Sequence, residues 1–273
     1  MPMADEMATL LFPSHGFTTA LKDSLVRTVL RDRWQETGIW YARPPGDQGD
    51  WHVDDDFAQV RGLRAHREEN GELLAWNRGR GWGFVVCGSC GYAEEELRMG
   101  QQPPPTFRKH VPLNRLKGEC AGGANPIRNM WLAAKEPTDI LRLDFSGVPV
   151  PEFTNIAVPW TLGLALARAA CEALDLDPRD ITALGPPPAG PAGLPEVLLY
   201  DNVPGGAGHV LAAAALERDW LQLAERVLYV DEDHDRRCLR ACLDCVLEFD
   251  VNSETEAALD RPGALALLRR LLD

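Results

Sequence analysis

Apolar positions recur along this chain in two rhythms, one helical and one alternating. Leu21, Leu25, Val26, Val29, Leu30 and Trp34 recur at helical spacing and predict a helix over residues 18–36, with Thr18 or Thr19 as its N-cap. A Pro-, Gly- and Asp-rich loop is expected from Pro44 to Asp56. Leu73 to Cys90 sets Gly against Trp, Arg and Phe and predicts a hairpin, and Gln101–Pro105 reads as a proline-rich loop. Ile140–Phe145 has the pattern of a strand. Pro159–Leu176 is an Ala-rich helix, apolar on most faces. Prolines and glycines make Gly185–Pro195 a loop or linker. Val197–Tyr200 is a short apolar strand, Asp201–Gly208 a glycine turn, and His209–Val230 a long helix. The order helix, strand, glycine turn, helix predicts an α+β, mixed α/β architecture. Two regions are expected: 1–137, a helix plus a cysteine-bearing knuckle, and 138–273, the better patterned half.

The 273 residues are 45% hydrophobic and 25% charged, enough for an ordinary buried core. No stretch approaches the ~20 apolar residues of a membrane span, and Met1–Gly16 lacks a signal pattern. A cytoplasmic, reducing setting with no membrane partner is therefore expected. There, seven cysteines are not expected to form a disulfide framework, and the clustered ones read first as metal ligands. The net charge of -13 would become about -15 with two zinc ions and six thiolates. Such a chain is not expected to hold nucleic acid strongly by itself, because phosphate contacts rest on Lys and Arg.

Zinc takes four ligands in a tetrahedron, usually thiolate sulfur and imidazole nitrogen. Cys87-Gly-Ser-Cys90-Gly91 has the form of a zinc knuckle, in which glycines let the backbone turn. Cys120 and His110 complete the expected set; a thioredoxin-type redox pair would need a helix starting at Cys87, which Gly88 and Gly91 disfavour. A second set gathers Cys238, Cys242 and Cys245. Seven residues of straight helix rise about 10 Å, so one ion can hold all three only if the chain bends between Cys238 and Cys245. Its fourth ligand stays open between His234, His209 and a residue distant in sequence, and a buried helical face of free cysteines is the alternative. Cys171 is expected in the core.

Gly205, Gly206, Gly208 and His209 stand where a strand turns into a helix. They allow either a tightly packed turn or an anion held on free backbone N–H groups. Arg78 and Arg80 are interleaved with Trp76, Trp82 and Phe84, a pattern that can stack on bases, although a structural hairpin is favoured at this net charge. The acidic runs Asp54–Asp56, Glu94–Glu96 and Asp231–Asp235 read as solvated faces. Nucleophile-elbow, metalloprotease and helicase ATP motifs are not found. An enzyme with Asp201 and His209 as acid and base at the glycine turn is the rival expectation.

From Thr138 onward, Leu199-Tyr-Asp-Asn-Val-Pro-Gly-Gly-Ala-Gly208, a long helix, Cys238, Cys242, Cys245, Asn252 and Leu259-Asp-Arg261 together resemble the MZB family, the zinc-binding domain named after the MrfA helicase. Phe12–Thr18, Gly83-Phe84-x-x-Cys87-x-x-Cys90-Gly91 and Cys120 are similar to the DrmB-type, MZB-containing subunit of the DISARM anti-phage system. The resemblance implies an MZB-type core over 138–273 and one or two zinc ions. In MrfA four cysteines of the C-terminal cluster hold the zinc, and Cys238, Cys242 and Cys245 match three of them. Where the family often shows another cysteine, this chain has Arg236 and Arg237. The resemblance also implies a partner: a DEAD/DEAH-type helicase or translocase, with DNA engaged mainly through the complex. The expected role is a non-catalytic accessory subunit in anti-phage defence or DNA repair; a purely structural scaffold is the remaining alternative.

Overall fold

The computed structural model describes residues 9–11, 37–41, 52–79, 81–96, 103, 105–112, 118–120, 126–149, 155–185, 196–247 and 258–273. Their strands are β1 (Thr9–Leu11), β2 (Thr37–Tyr41), β3 (His52–Asp54), β4 (Arg64–Asn77), β5 (Phe84–Cys87), β6 (Ala93–Glu95), β7 (Pro126–Asp144), β8 (Ile181–Ala183) and β9 (Val197–Asp201). The helices are α1 (Pro105–Arg108), α2 (Ala157–Leu174), α3 (His209–Ala214), α4 (Glu217–Leu228), α5 (Glu232–Arg237) and α6 (Arg261–Leu272). The fold is mixed α/β. The expected helix over 18–36, the linker after Gly185, Arg80 and Asn252 lie outside the described residues. Among the described residues, no helix is long and apolar enough to cross a membrane.

Two compact units result, one from Met1–Trp40 with Leu74–Lys135, the other from Tyr41–Leu73 with Glu136–Asp273. In the first, β5 pairs antiparallel with β6 and with β7, at Phe84↔Met130, Val86↔Ile127 and Cys87↔Pro126. This corrects the expected Leu73–Cys90 hairpin, because β4 lies between β2 and β7 in the strand order and not beside β5. Local pairing loses to the long strand β7, and the link between β4 and β5 turns through Gly79, Gly81 and Gly83, all at positive φ. Side-chain alternation along β5 sends Phe84 and Val86 against Met130, and Val85 and Cys87 against Phe107.

In the second unit, β9 lies between β7 and β8, with Ile140↔Tyr200 and Leu143↔Val197 on one side and Ile181↔Asp201 on the other. Every residue of β9 is buried, as a continuous apolar run in a covered central strand requires. Helix α2 packs on β8 and β9 and against α4 and α6. It ends at Asp175, a left-handed residue whose N–H donates to the Cys171 carbonyl in a C-terminal cap. Cys171 is buried, as expected of a core residue. Trp220 of α4 is fully buried, and its indole N–H donates to the Leu166 carbonyl of α2 at 2.9 Å. The start of α6 is capped by the Asp260 carboxylate, which accepts from the Gly263 N–H at 2.9 Å.

The single helix expected over His209–Val230 is instead two, α3 and α4. Positions 210, 213, 214, 217, 220, 221, 224, 227 and 228 would share one face of an unbroken helix, and all but 217 are buried. Position 217 is a glutamate. The chain departs from right-handed helix there, with Glu217 at φ 47°, and the carboxylate stays in solvent. Burying it unpaired would cost several kcal/mol, roughly more than the interrupted turn.

Candidate metal centres

Cys87 ends β5 with its side chain buried, and the following turn is closed by two backbone bonds. The Gly91 N–H donates to the Cys87 carbonyl and the Cys87 N–H to the Tyr92 carbonyl, each at 2.8 Å. Gly91 sits at φ 77°, a conformation that glycine adopts without strain. Cys90 is thereby folded back beside Cys87. His110 follows α1, buried, its ring stacked on Tyr92 with centroids 4.5 Å apart and planes at 6°. Its Nδ1 lies 2.5 Å from the Phe107 carbonyl, which requires the proton on Nδ1 and leaves the Nε2 lone pair, 3.1 Å from Cys90 Sγ, for a cation. The Cys120 N–H donates to the His110 carbonyl at 3.0 Å, and Cys120 Sγ stands 3.8 Å from Cys87 Sγ. Burial works to lower the His110 pKa, but hydrogen bonds with the Phe107 carbonyl and the Cys90 and Cys87 thiols outweigh it, and the pKa is raised.

The second set lies between α5 and α6. Asp231 accepts from the His234 N–H at 2.7 Å and caps α5, whose final turn presents His234. Helix ends at Cys238, at φ -88° and ψ 89°, and residues 243–246 form a turn. This is the bend that a shared ion demands, and it excludes a straight helical face of cysteines. Cys245 Sγ is 3.8 Å from Cys238 Sγ and 3.7 Å from Cys242 Sγ, and His234 Nε2 is 3.3 Å from Cys242 Sγ. Burial pushes the Cys238 thiol up to about 12 and also raises that of Cys245, with neighbouring thiols adding to the effect at Cys238. A bound cation would supply the charge that favours thiolates there.

In each set the four ligand atoms lie within 4.8 Å of one another. A tetrahedron with Zn–S bonds of about 2.3 Å has S···S edges of about 3.8 Å. The observed sulfur separations match that edge and are far longer than a disulfide bond of about 2.05 Å. Two Cys3His sets thus have geometry consistent with one or two zinc ions. The first contains the four residues expected from sequence. In the second, His234 fills the position left open, and His209 is not in the group. The helical step from His234 to Cys238 was the available signal, since residues four apart share a helix face.

Two arginines hold the second loop from outside. Arg261 is buried, and its guanidinium donates to the carbonyls of Cys238 at 2.9 Å, Leu228 at 3.0 Å and Asp235 at 3.2 Å. It also pairs with the Asp235 carboxylate at 2.9 Å. Arg168 of α2 donates to the carbonyls of Cys245 and Leu243. In the sequence Arg261 stands out only as part of Leu259-Asp-Arg261, and Arg168 carries no local signal. Asp235 and buried Glu96, which accepts from Arg128 at 2.7 Å, correct the reading of the acidic runs as purely solvated.

The glycine turn is occupied by the chain's own carboxylates. Asp201 accepts from the N–H groups of Ala207, His209 and Val210 at 2.8, 2.9 and 2.7 Å, and Asp139 from that of Gly208 at 2.9 Å. The Gly205 N–H donates to the Pro137 carbonyl and the Gly206 N–H to that of Val203. An anion at Gly205, Gly206, Gly208 and His209 would have to displace Asp139 and Asp201, so the tight-turn reading replaces that of an anion contact. A side chain at 206 would meet the Asp139 carboxylate at 2.3 Å, which explains its glycine. In the first unit, the Arg78 guanidinium stands 5.2 Å over the Trp131 ring, itself in contact with Trp40 and Trp76. Arg78 therefore packs within the fold.

Among known proteins, the chain is 28% identical over 214 residues to the Druantia protein DruE of Escherichia coli (strain UMEA 4076-1), an alignment covering 72% of this chain. It spans only 11% of the length of that relative. The crystal structure of the DUF1998 helicase MrfA bound to DNA superimposes with a TM-score of 0.45 and 12% identity, over 88% of this chain and 25% of that one. Residues 162–246, which run from α2 through Cys238, Cys242 and Cys245, match the family model of the MrfA Zn-binding domain, MZB.

Proposed function

We propose that this chain is a non-catalytic, zinc-stapled accessory module that docks on a DEAD/DEAH-type helicase or translocase and assists its engagement of DNA in anti-phage defence or DNA repair. The observation that carries this reading is the convergence of two Cys3His sets, one of them inside the segment matched by the MrfA Zn-binding domain. Cys87, Cys90, His110 and Cys120 would hold one ion and His234, Cys238, Cys242 and Cys245 the other. Both sets provide four protein ligands, the closed form of a structural zinc site, whereas a catalytic site keeps a position for water or substrate. Similarity to a Druantia protein supports the defence setting, as does the resemblance of the first half to the DrmB-type subunit of DISARM.

The engagement of Asp201 by three backbone N–H groups favours the non-catalytic role over an acid–base pair with His209. Elemental analysis tests the metal part: two zinc ions per chain, falling to one in Cys87→Ser and to one in Cys242→Ser. Co-purification with a helicase encoded beside it tests the partner part. A chain that neither binds such a helicase nor changes its ATPase activity or DNA affinity overturns the accessory role.

A further inference from the structure

Four residues of one short loop can hold an ion only if the loop is already bent, and α5 spends its own capping at its start, on Asp231. What holds the bend is the pair of arginines. The two buried cysteines of the set, Cys238 and Cys245, each have their backbone carbonyl held by a guanidinium from a different helix: Arg261 of α6 and Arg168 of α2. Arg261 reaches furthest, tying the end of α4 (Leu228), the last turn of α5 (Asp235) and the first cysteine (Cys238) to one planar group. A guanidinium offers five donors in a fixed planar fork, so three carbonyls and the Asp235 carboxylate can all be met, one acceptor more than the three donors of an ammonium can serve. Its backbone joins in, because the Arg261 N–H donates to the Arg240 carbonyl at 2.8 Å inside the same loop.

We infer that Arg261, supported by Arg168, is the positioning residue that gives the His234/Cys238/Cys242/Cys245 set its metal-ready shape and couples metal occupancy to the seating of α6 on α2 and α4. Zinc with three thiolates carries a formal charge of about -1, so a buried guanidinium bonded to a ligand residue's carbonyl also offsets the charge of the loaded set. The coupling is reciprocal: metal fixes the carbonyls that Arg261 needs, and Arg261 fixes the cysteines that the metal needs. This inference rests on the metal reading above and adds which residues make the second site competent.

The test uses the full chain loaded with zinc, a competing chromogenic chelator, and peptide mapping of maleimide-alkylated cysteines to assign each released ion to its site. Arg261→Met should weaken zinc at the second set by about 10- to 100-fold, the range seen when groups that orient metal ligands are removed, with Cys87, Cys90 and Cys120 still protected. Arg261→Lys should recover only part of this, and Arg168→Met should show a smaller loss in the same direction. Amide exchange over residues 261–272 should rise on chelation in the wild type and be high with or without metal in Arg261→Met. Leu265→Ala loosens the buried face of α6 without touching the loop carbonyls. Through the same coupling it should weaken zinc at the second set, but clearly less than Arg261→Met does. Equal zinc loss in Leu265→Ala and Arg261→Met, parallel loss from both sets, or unchanged affinity in Arg261→Met each overturns the positioning role. A wild-type chain that takes no zinc at the second set overturns the metal reading together with this one.

Discussion

The two Cys3His sets solve one coordination problem from opposite starting points. The first draws its ligands from a turn after β5, a histidine after a four-residue helix and a cysteine ten residues further on. Its apolar surroundings are small: Val85, Cys87 and Phe107, with Tyr92 packed alongside. The second draws four ligands from twelve consecutive residues and leans on the large core around α2, α4 and α6. Their histidines differ too. His110 Nδ1 is held by the Phe107 carbonyl, while His234 Nδ1 is buried without a hydrogen-bond partner among the described residues. In the first set metal would stand in for a core, whereas in the second it would fasten a loop to a core that already exists.

That contrast can be broken most severely by removing metal. Binding at structural zinc sites is worth about 10–16 kcal/mol in small peptides, more than a few buried side chains at about 1.5–3 kcal/mol each can replace. Chelation should therefore abolish amide protection over β5, β6 and α1, while β9, α2 and α4 keep theirs and loosening in the second unit is confined to 234–246 and α6. Uniform loss in both units would erase the distinction. The converse perturbation is Trp220→Ala, which should cost about 3–5 kcal/mol of stability in the second unit and leave one zinc bound at Cys87, Cys90, His110 and Cys120. Thermal unfolding combined with zinc analysis checks both halves of that statement.

Stepwise chelation sharpens the comparison further. A ligand imidazole whose second nitrogen lacks a partner holds metal about 10- to 100-fold less tightly, so zinc should leave His234 and its thiols before it leaves His110. Simultaneous release would remove this difference. The smallest effect concerns pH. Burial, followed by the charge of Glu136, raises the Tyr200 pKa from 10.0 to about 12. The neutral phenol thus contributes stability that is complete below pH 10 and lost as pH rises through about 12, at most about 3 kcal/mol for this shift. Tyr200→Phe should flatten the alkaline limb of stability in the second unit without changing metal content. An unchanged limb would assign the alkaline loss to other groups.

Much of the second unit was legible because its signals are local. Pro159–Leu176 lies almost wholly within α2, Val197–Tyr200 within β9, and Ile140–Phe145 overlaps the buried end of β7, since continuous apolar runs bounded by turn residues leave few alternatives. The break at Glu217 was missed because helical periodicity continues across it. Only the identity of one residue on the buried face, a glutamate, marks the interruption. The supposed β4–β5 hairpin failed for the opposite reason: glycine and aromatic content signalled a turn, but pairing was decided by β7, which begins about forty residues later.

The sequence alone determined the mixed α/β order, the knuckle at Cys87 and Cys90, the set completed by His110 and Cys120, and the need for a bend between Cys238 and Cys245. These follow from residue type and spacing, because backbone torsions, turn glycines and thiol chemistry act over a few bonds. Tertiary structure alone decided that His234 joins the second set, that Asp139 and Asp201 fill the glycine turn, and that Arg168 and Arg261 grip the loop carbonyls. Each of these is a hydrogen-bonding or coordination demand met by a group whose distance in space bears no fixed relation to its distance along the chain. Arg168 lies 77 residues from Cys245, and Asp139 lies 69 from Gly208. Buried donors and acceptors must be satisfied, but which residue does so is settled only when the core brings it within about 3 Å.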